Sequence, residues 1–134
     1  MGSELWVTLV PFEEDFDAAL QKARDKVFKD GSYGYSGRKK PRTIAEAVER
    51  GGEEGTHSVL DMTGVAKRQT AGMVSPLSRP TLLKLFKTER PTEQDWWNKH
   101  FAVRDLIDRG RGLLVVLYEG EVPAKIAFAG LAWD

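Results

Sequence analysis

Hydrophobic residues recur along this chain with two periods, and the two periods mark out its elements. Leu5, Val7 and Leu9 alternate with Trp6, Thr8 and Val10 in a β-rich run that Pro11 ends, which predicts a strand over Leu5–Val10. A period near 3.6 follows. Phe16, Leu20, Ala23 and Val27 form a one-sided stripe, so a helix is predicted over about Glu13–Asp30. Its acids, Glu13, Glu14, Asp15 and Asp17, come first and its bases, Lys22, Arg24, Lys26 and Lys29, come later, an order that complements the helix dipole. Gly31 stops it. Thr43 and Glu46 have the spacing of a capping box and open a short helix that Gly51-Gly52 ends. Thr56–Met62 alternates again and predicts a strand. Ser78 caps a short helix through Phe86. Thr92 caps a longer one over about Glu93–Arg109, with Trp96, His100, Val103 and Ile107 as its stripe, widened by Trp97, Phe101 and Leu106.

The organising stretch is Gly112–Trp133. Leu113–Tyr118 is apolar or aromatic throughout and reads as a strand buried on both faces. Glu119-Gly120-Glu121 reads as a turn. In the second arm Ile126 and Phe128 point one way, Ala127 and Ala129 the other. These small residues call for a closely packed neighbour, for which the tryptophan-bearing helix is the candidate. The order β-α-α-β-loop-α-α-β-β predicts an α+β fold, a single globular domain over residues 1–134. Its sheet of about four strands is centred on the C-terminal hairpin and covered by helices. Two segments lack a period: Gly31–Pro41, and Thr63–Pro76, which is read as the longest structureless loop.

Composition narrows the chemistry. A length of 134 residues suffices for one domain with a core that needs no covalent staple. The absence of cysteine excludes disulfides and thiolate chemistry and suits a cytoplasmic location. No N-terminal basic-then-apolar segment suggests a signal peptide, and no run approaches the roughly 20 apolar residues of a membrane span. His57 and His100 are far apart and match no metal-ligand spacing, so neither metal nor cofactor is expected.

The formal net charge is zero, which removes any global pull toward nucleic acid or anionic membranes. That total hides a strong segregation. Residues 31–42 carry four bases and no acid, and residues 62–90 carry six bases and one acid. Two candidate anion or nucleic-acid surfaces follow. In one, Tyr33 and Tyr35 supply stacking faces beside Arg38, Lys39, Lys40 and Arg42, at the N-terminus of the helix that Thr43 caps. In the other, Lys67 and Arg68 supply charge.

Catalysis has thinner support. His57 and Asp61 share a face of the predicted strand, but at strand rise they stand about 13 Å apart, too far for a dyad. Ser58 points away from His57. Trp96 and Trp97 lie about 100° apart on one helix, so only wide coverage buries both, and an exposed tryptophan makes a good interface anchor. These readings favour a non-catalytic binding module, an inhibitor, immunity or accessory protein recognising another macromolecule, with a protein ahead of nucleic acid as partner and no membrane. One alternative is a small enzyme or ligand-binding protein with an anion pocket near Arg38–Thr43 and His57. The other is a nucleic-acid-binding domain.

Overall fold

The computed structural model describes residues 4–35, 37 and 39–133. The fold is α+β. Its strands are β1 (Leu5–Pro11), β2 (Gly64–Val65), β3 (Met73–Pro76), β4 (Gly112–Glu119) and β5 (Val122–Leu131). Its helices are α1 (Phe16–Asp30), α2 (Ile44–Gly51), α3 (Arg79–Phe86) and α4 (Glu93–Val103). The strands form one five-stranded sheet in the order β1-β5-β4-β3-β2. The hairpin β4–β5 is its centre, as the unbroken apolar run of β4 demands. Gly120, at φ +64°, takes the left-handed conformation that the tight turn needs. β1 joins antiparallel with Leu5 opposite Leu131, and β3 and β2 add parallel strands beyond β4. No helix among the described residues is long and apolar enough to cross a membrane.

Each face of the sheet has its own apolar layer. On one, α1 and α2 bring Leu20, Ala23, Val27 and Ala47 onto Trp6, Leu114, Ile126 and Phe128. On the other, α3 and α4 bring Phe86, Trp96 and Val103 onto Leu113, Val115, Ala127 and Ala129. The small residues of β5 therefore receive Trp96, as their size suggested. Gly130 faces the opposite way, and a Cβ there would run into the Trp6 ring and the Arg111 carbonyl.

Helix starts follow their caps. α1 begins at Phe16 rather than Glu13, because the Asp15 carboxylate accepts from Ala18 N–H and fixes the first turn. Its end is as expected: Gly31 adopts φ +72° and donates back to Phe28 and Val27. α4 ends at Val103, and the chain continues through a 3₁₀ turn over Arg104–Leu106 instead of running to Arg109.

The strand expected at Thr56–Met62 does not form. Val59–Asp61 is a 3₁₀ turn whose Leu60 N–H is capped by Ser58 Oγ at 3.2 Å. The Asp61 carboxylate folds back on Thr56, accepting from its N–H at 2.8 Å and its hydroxyl at 2.9 Å. Side chains of Ser, Thr and Asp compete with the sheet for backbone groups, and here they win. The segment expected to be structureless, Thr63–Pro76, holds both β2 and β3. They are short and parallel, and residues 66–72 between them are tied down by Met73 N–H to the Thr70 carbonyl and Gly72 N–H to Gly110.

Candidate functional site

The His57–Asp61 segment is organised as a staple. Asp61 is committed to Thr56, which is fully buried, and Thr56 Oγ lies 2.7 Å from Ser58 Oγ. Beneath it, Arg24 donates to the Leu60 carbonyl at 3.1 Å. Burial lowers the pKa of that guanidinium, while Asp25 and Asp61 act against the shift. His57 is exposed, at φ +54°, and turns outward into a cleft of about 480 Å³ whose rim includes Tyr35, Arg50 and the glycines at 51, 52 and 55. Asp61 is not on that rim, and Glu53 and Glu54 are. The Asp61 carboxylate lies behind that rim, against Gly55, with its hydrogen bonds spent on Thr56.

The first basic segment stands beside this cleft. Gly34 N–H donates to the Thr56 carbonyl at 2.8 Å and docks the loop. Phe28, Tyr33 and Tyr35 follow one another as a ladder of rings, with centroids 5.8 and 5.6 Å apart. Desolvation raises the Tyr33 phenol pKa, with Tyr35 adding to the effect, and its buried oxygen has no hydrogen-bond partner among the described residues. Tyr33 is therefore a packing residue, and Tyr35 is the exposed ring. Arg50 donates to the Lys39 carbonyl and pairs with Glu46 at 2.7 Å. Thr43 Oγ1 accepts from Glu46 N–H, and the Glu46 carboxylate accepts from Arg42 N–H. An incoming phosphate would meet the Glu46 carboxylate at this helix end, where the amides of Arg42 and Glu46 are already engaged. Lys39, Lys40 and Arg42 project into solvent. Arg38 lies outside the described residues.

Lys67 and Arg68 are elsewhere. They line a second cleft, of about 220 Å³, with Ser75, Ser78 and Thr81. That cleft shares no lining residue with the first. Among the described residues, no group of three His, Cys, Asp or Glu side chains could hold a metal ion.

The two adjacent tryptophans part company. Trp96 is 0% exposed and packs near Phe86. Trp97 is 44% exposed, and Phe101, one turn on, is 76% exposed. The stripe of α4 is thus narrower than expected: Trp97, Phe101 and Leu106 do not widen it but stand outside it. Between them His100 packs its ring against Phe101 (4.1 Å) and Trp97 (5.1 Å), with Nδ1 2.9 Å from the Trp97 carbonyl oxygen. Trp97 is held from below: its indole N–H donates to Glu93, which also accepts from Lys125 at 2.5 Å. Those hydrogen bonds, Lys125 first and Trp97 second, hold the Glu93 pKa below its ordinary value.

Beside this ridge a groove of about 320 Å³ runs to β1, floored by half-buried Leu5 and Val7 and bordered by His100, Phe101 and Arg104. Among the described residues β1 pairs only with β5, so its other side is a sheet edge. Phe12 N–H donates to the Ala124 carbonyl, which fixes the alternation: Leu5, Val7 and Leu9 direct their backbone groups outward. Lys26 Nζ, on the Leu9 carbonyl at 3.3 Å, agrees with that alternation. Sequence reasoning flagged Trp97 but missed Phe101 and the β1 edge. The signal was there: Trp97 and Phe101 are four apart and sit to one side of the Trp96–His100–Val103–Ile107 stripe.

No family model, curated protein or solved structure matches this chain.

Proposed function

We propose that the protein is a recognition module that binds another protein through the aromatic ridge of α4 and the adjoining edge of β1. The observation that carries this reading is the exposed pair Trp97 and Phe101, with half-buried His100 between them, beside a groove that is floored by Leu5 and Val7, rimmed by Glu4 and Arg104, and set on the outer edge of β1. Exposed aromatic rings next to an apolar groove mark interaction surfaces. A free strand edge offers main-chain donors and acceptors to an extended segment, while alternate side chains read its sequence. The partner is thus a protein that lays an extended, partly apolar segment along Leu5–Val7 and packs against Phe101. An inhibitor, immunity or accessory role in the cytoplasm fits such a surface. The catalytic alternative needed His57 and Asp61 in one pocket with a base, and Asp61 is engaged elsewhere.

The test compares the wild-type chain with the double variant Trp97→Ala, Phe101→Ala as immobilised bait in lysate of the native host. A protein captured by the first and lost from the second, with equal thermal stability of the two baits, supports the proposal. Capture of the same proteins by both baits, or of none by either, overturns it.

A further inference from the structure

The cleft at Lys67 and Arg68 carries a second inference, independent of the α4 ridge. We propose that it binds the phosphate group of a small phosphomonoester. The cleft opens beyond the carboxyl ends of the parallel strands β2 and β3, where the chain leaves Val65 toward Lys67 and leaves Pro76 toward the N-cap of α3. Crevices at the carboxyl ends of parallel strands are the usual ligand sites of such sheets. Neither Lys67 nor Arg68 makes an ion pair among the described residues, and no carboxylate lines the cleft. The other cleft has Glu53 and Glu54 on its rim, and its Arg50 is paired.

The floor supplies the decisive group. Ser75 is only 5% exposed, faces the same side of the sheet as its register partner Leu113, and lines the cleft. Its hydroxyl makes no hydrogen bond to any described residue. On the floor of an open cleft, that hydroxyl is left to pair with water or with a ligand. Above it stands the first turn of α3. Pro80 has no amide hydrogen to offer there, and the Thr81 N–H is spent on Ser78 Oγ at 3.4 Å. Ser78 Oγ and Thr81 Oγ1 lie 2.8 Å apart, which engages one hydroxyl hydrogen and leaves the other for a ligand. The helix dipole adds positive potential at the same place.

The wall is preorganised. Gln69 donates to the Leu106 carbonyl at 2.6 Å and accepts from Asp108 N–H at 3.2 Å, which fastens the Lys67-Arg68 loop across the cleft. Thr70 Oγ1 donates to the Arg68 carbonyl at 2.9 Å. Size sets the ligand class. Drug-sized ligands fill about 300–1,000 Å³, whereas this space of about 220 Å³ takes a phosphate and a few carbon atoms. Leu77, Leu106 and Leu113 give those carbons an apolar contact.

The experiment is a titration of the whole chain, followed by amide NMR at fixed ionic strength, with phenyl phosphate, inorganic phosphate and a short oligothymidine as probes. Phenyl phosphate should give saturable shifts at Ser75, Ser78 and Thr81 and bind more tightly than inorganic phosphate. Ser75→Ala, and separately Lys67→Gln with Arg68→Gln, should each weaken it by about tenfold, the scale of losing a hydrogen bond to a charged group. Each variant should keep the wild-type spectrum away from the cleft. No saturable shift with phenyl phosphate, or equal affinity in the variants, overturns the proposal. Displacement of phenyl phosphate by oligothymidine at lower concentration also overturns it, in favour of a nucleic-acid track.

Discussion

The two faces of the sheet are built from the same materials and finished differently. The α1/α2 face is closed. Leu20, Leu60, Met62, Ile126 and Phe128 are fully buried there, and even the connecting segment Ser58–Met62 is folded in as part of the layer. The α3/α4 face encloses Trp96, Leu113 and Ala129 but stops short of its margins, where Leu83, Trp97, Phe101 and Leu106 are exposed and Leu5 and Val7 are only half covered. The edges repeat the contrast. β2 is two residues long and its Val65 N–H is taken by Asp17 at 3.2 Å, both of which blunt an edge. β1 is seven residues long and, before Pro11, carries no charge of its own; Lys26 Nζ covers its edge at the Leu9 carbonyl, and no described residue covers it at Leu5 and Val7. One side of the molecule spends its apolar residues on stability, and the other keeps some of them available.

The comparison can be broken most directly by paired truncations. Phe128→Ala on the closed face should cost about 3–5 kcal/mol in chemical denaturation, as for other buried aromatics. Phe101→Ala should change stability by less than about 0.5 kcal/mol. Similar losses at the two sites would mean that both faces are closed. Gly130→Ala forces a methyl group against the Trp6 ring and should cost roughly 1–3 kcal/mol. Combining it with Trp6→Leu should recover part of that loss, which a double-mutant cycle measures. Asp61→Ala leaves the buried Thr56 N–H and hydroxyl without their acceptor and should cost about 1–3 kcal/mol. It should leave phenyl phosphate binding unchanged, because Asp61 lines neither cleft.

The smallest effect concerns pH. Glu93 has its folded-state pKa lowered by Lys125 and Trp97, so its contribution is present above the ordinary carboxylate range and fades as pH falls through the lowered value. The Trp97 indole N–H resonance should therefore move at acidic pH, below the point at which a free glutamate titrates. Glu93→Gln should abolish that movement with little change in stability, as expected of an exposed pair.

What the sequence disclosed follows from the range of the forces involved. The hairpin, the start of α2 at Thr43, the start of α4 at Thr92 and the end of α1 at Gly31 were legible because their causes are local: an apolar run, a capping hydroxyl, a glycine. β2 and β3 were hidden because four residues or fewer leave no period, and a parallel pairing is decided by the distant strand it joins. Thr56–Met62 misled because its alternation was real while its polar side chains bound the backbone instead of a neighbouring strand. The candidate sites divide the same way. Lys67 and Arg68 were visible as charge, but Ser75 gained meaning only when β3 set it on the cleft floor. Phe101 looked like core because a helix stripe drawn from sequence does not show how far its cover extends.

The register of β1 has a consequence for how the chain is made. Leu5 pairs with Leu131 and Pro11 with Lys125, so β1 leaves the ribosome well over a hundred residues ahead of the strand it bonds to. At a synthesis rate of about 5–20 residues per second, that wait is on the order of ten seconds. Throughout it, the strand proposed to receive another protein's segment has both of its edges unpaired. A nascent chain in this state is open to mispairing with its neighbours on the same message, and β5 is the segment whose arrival ends the exposure.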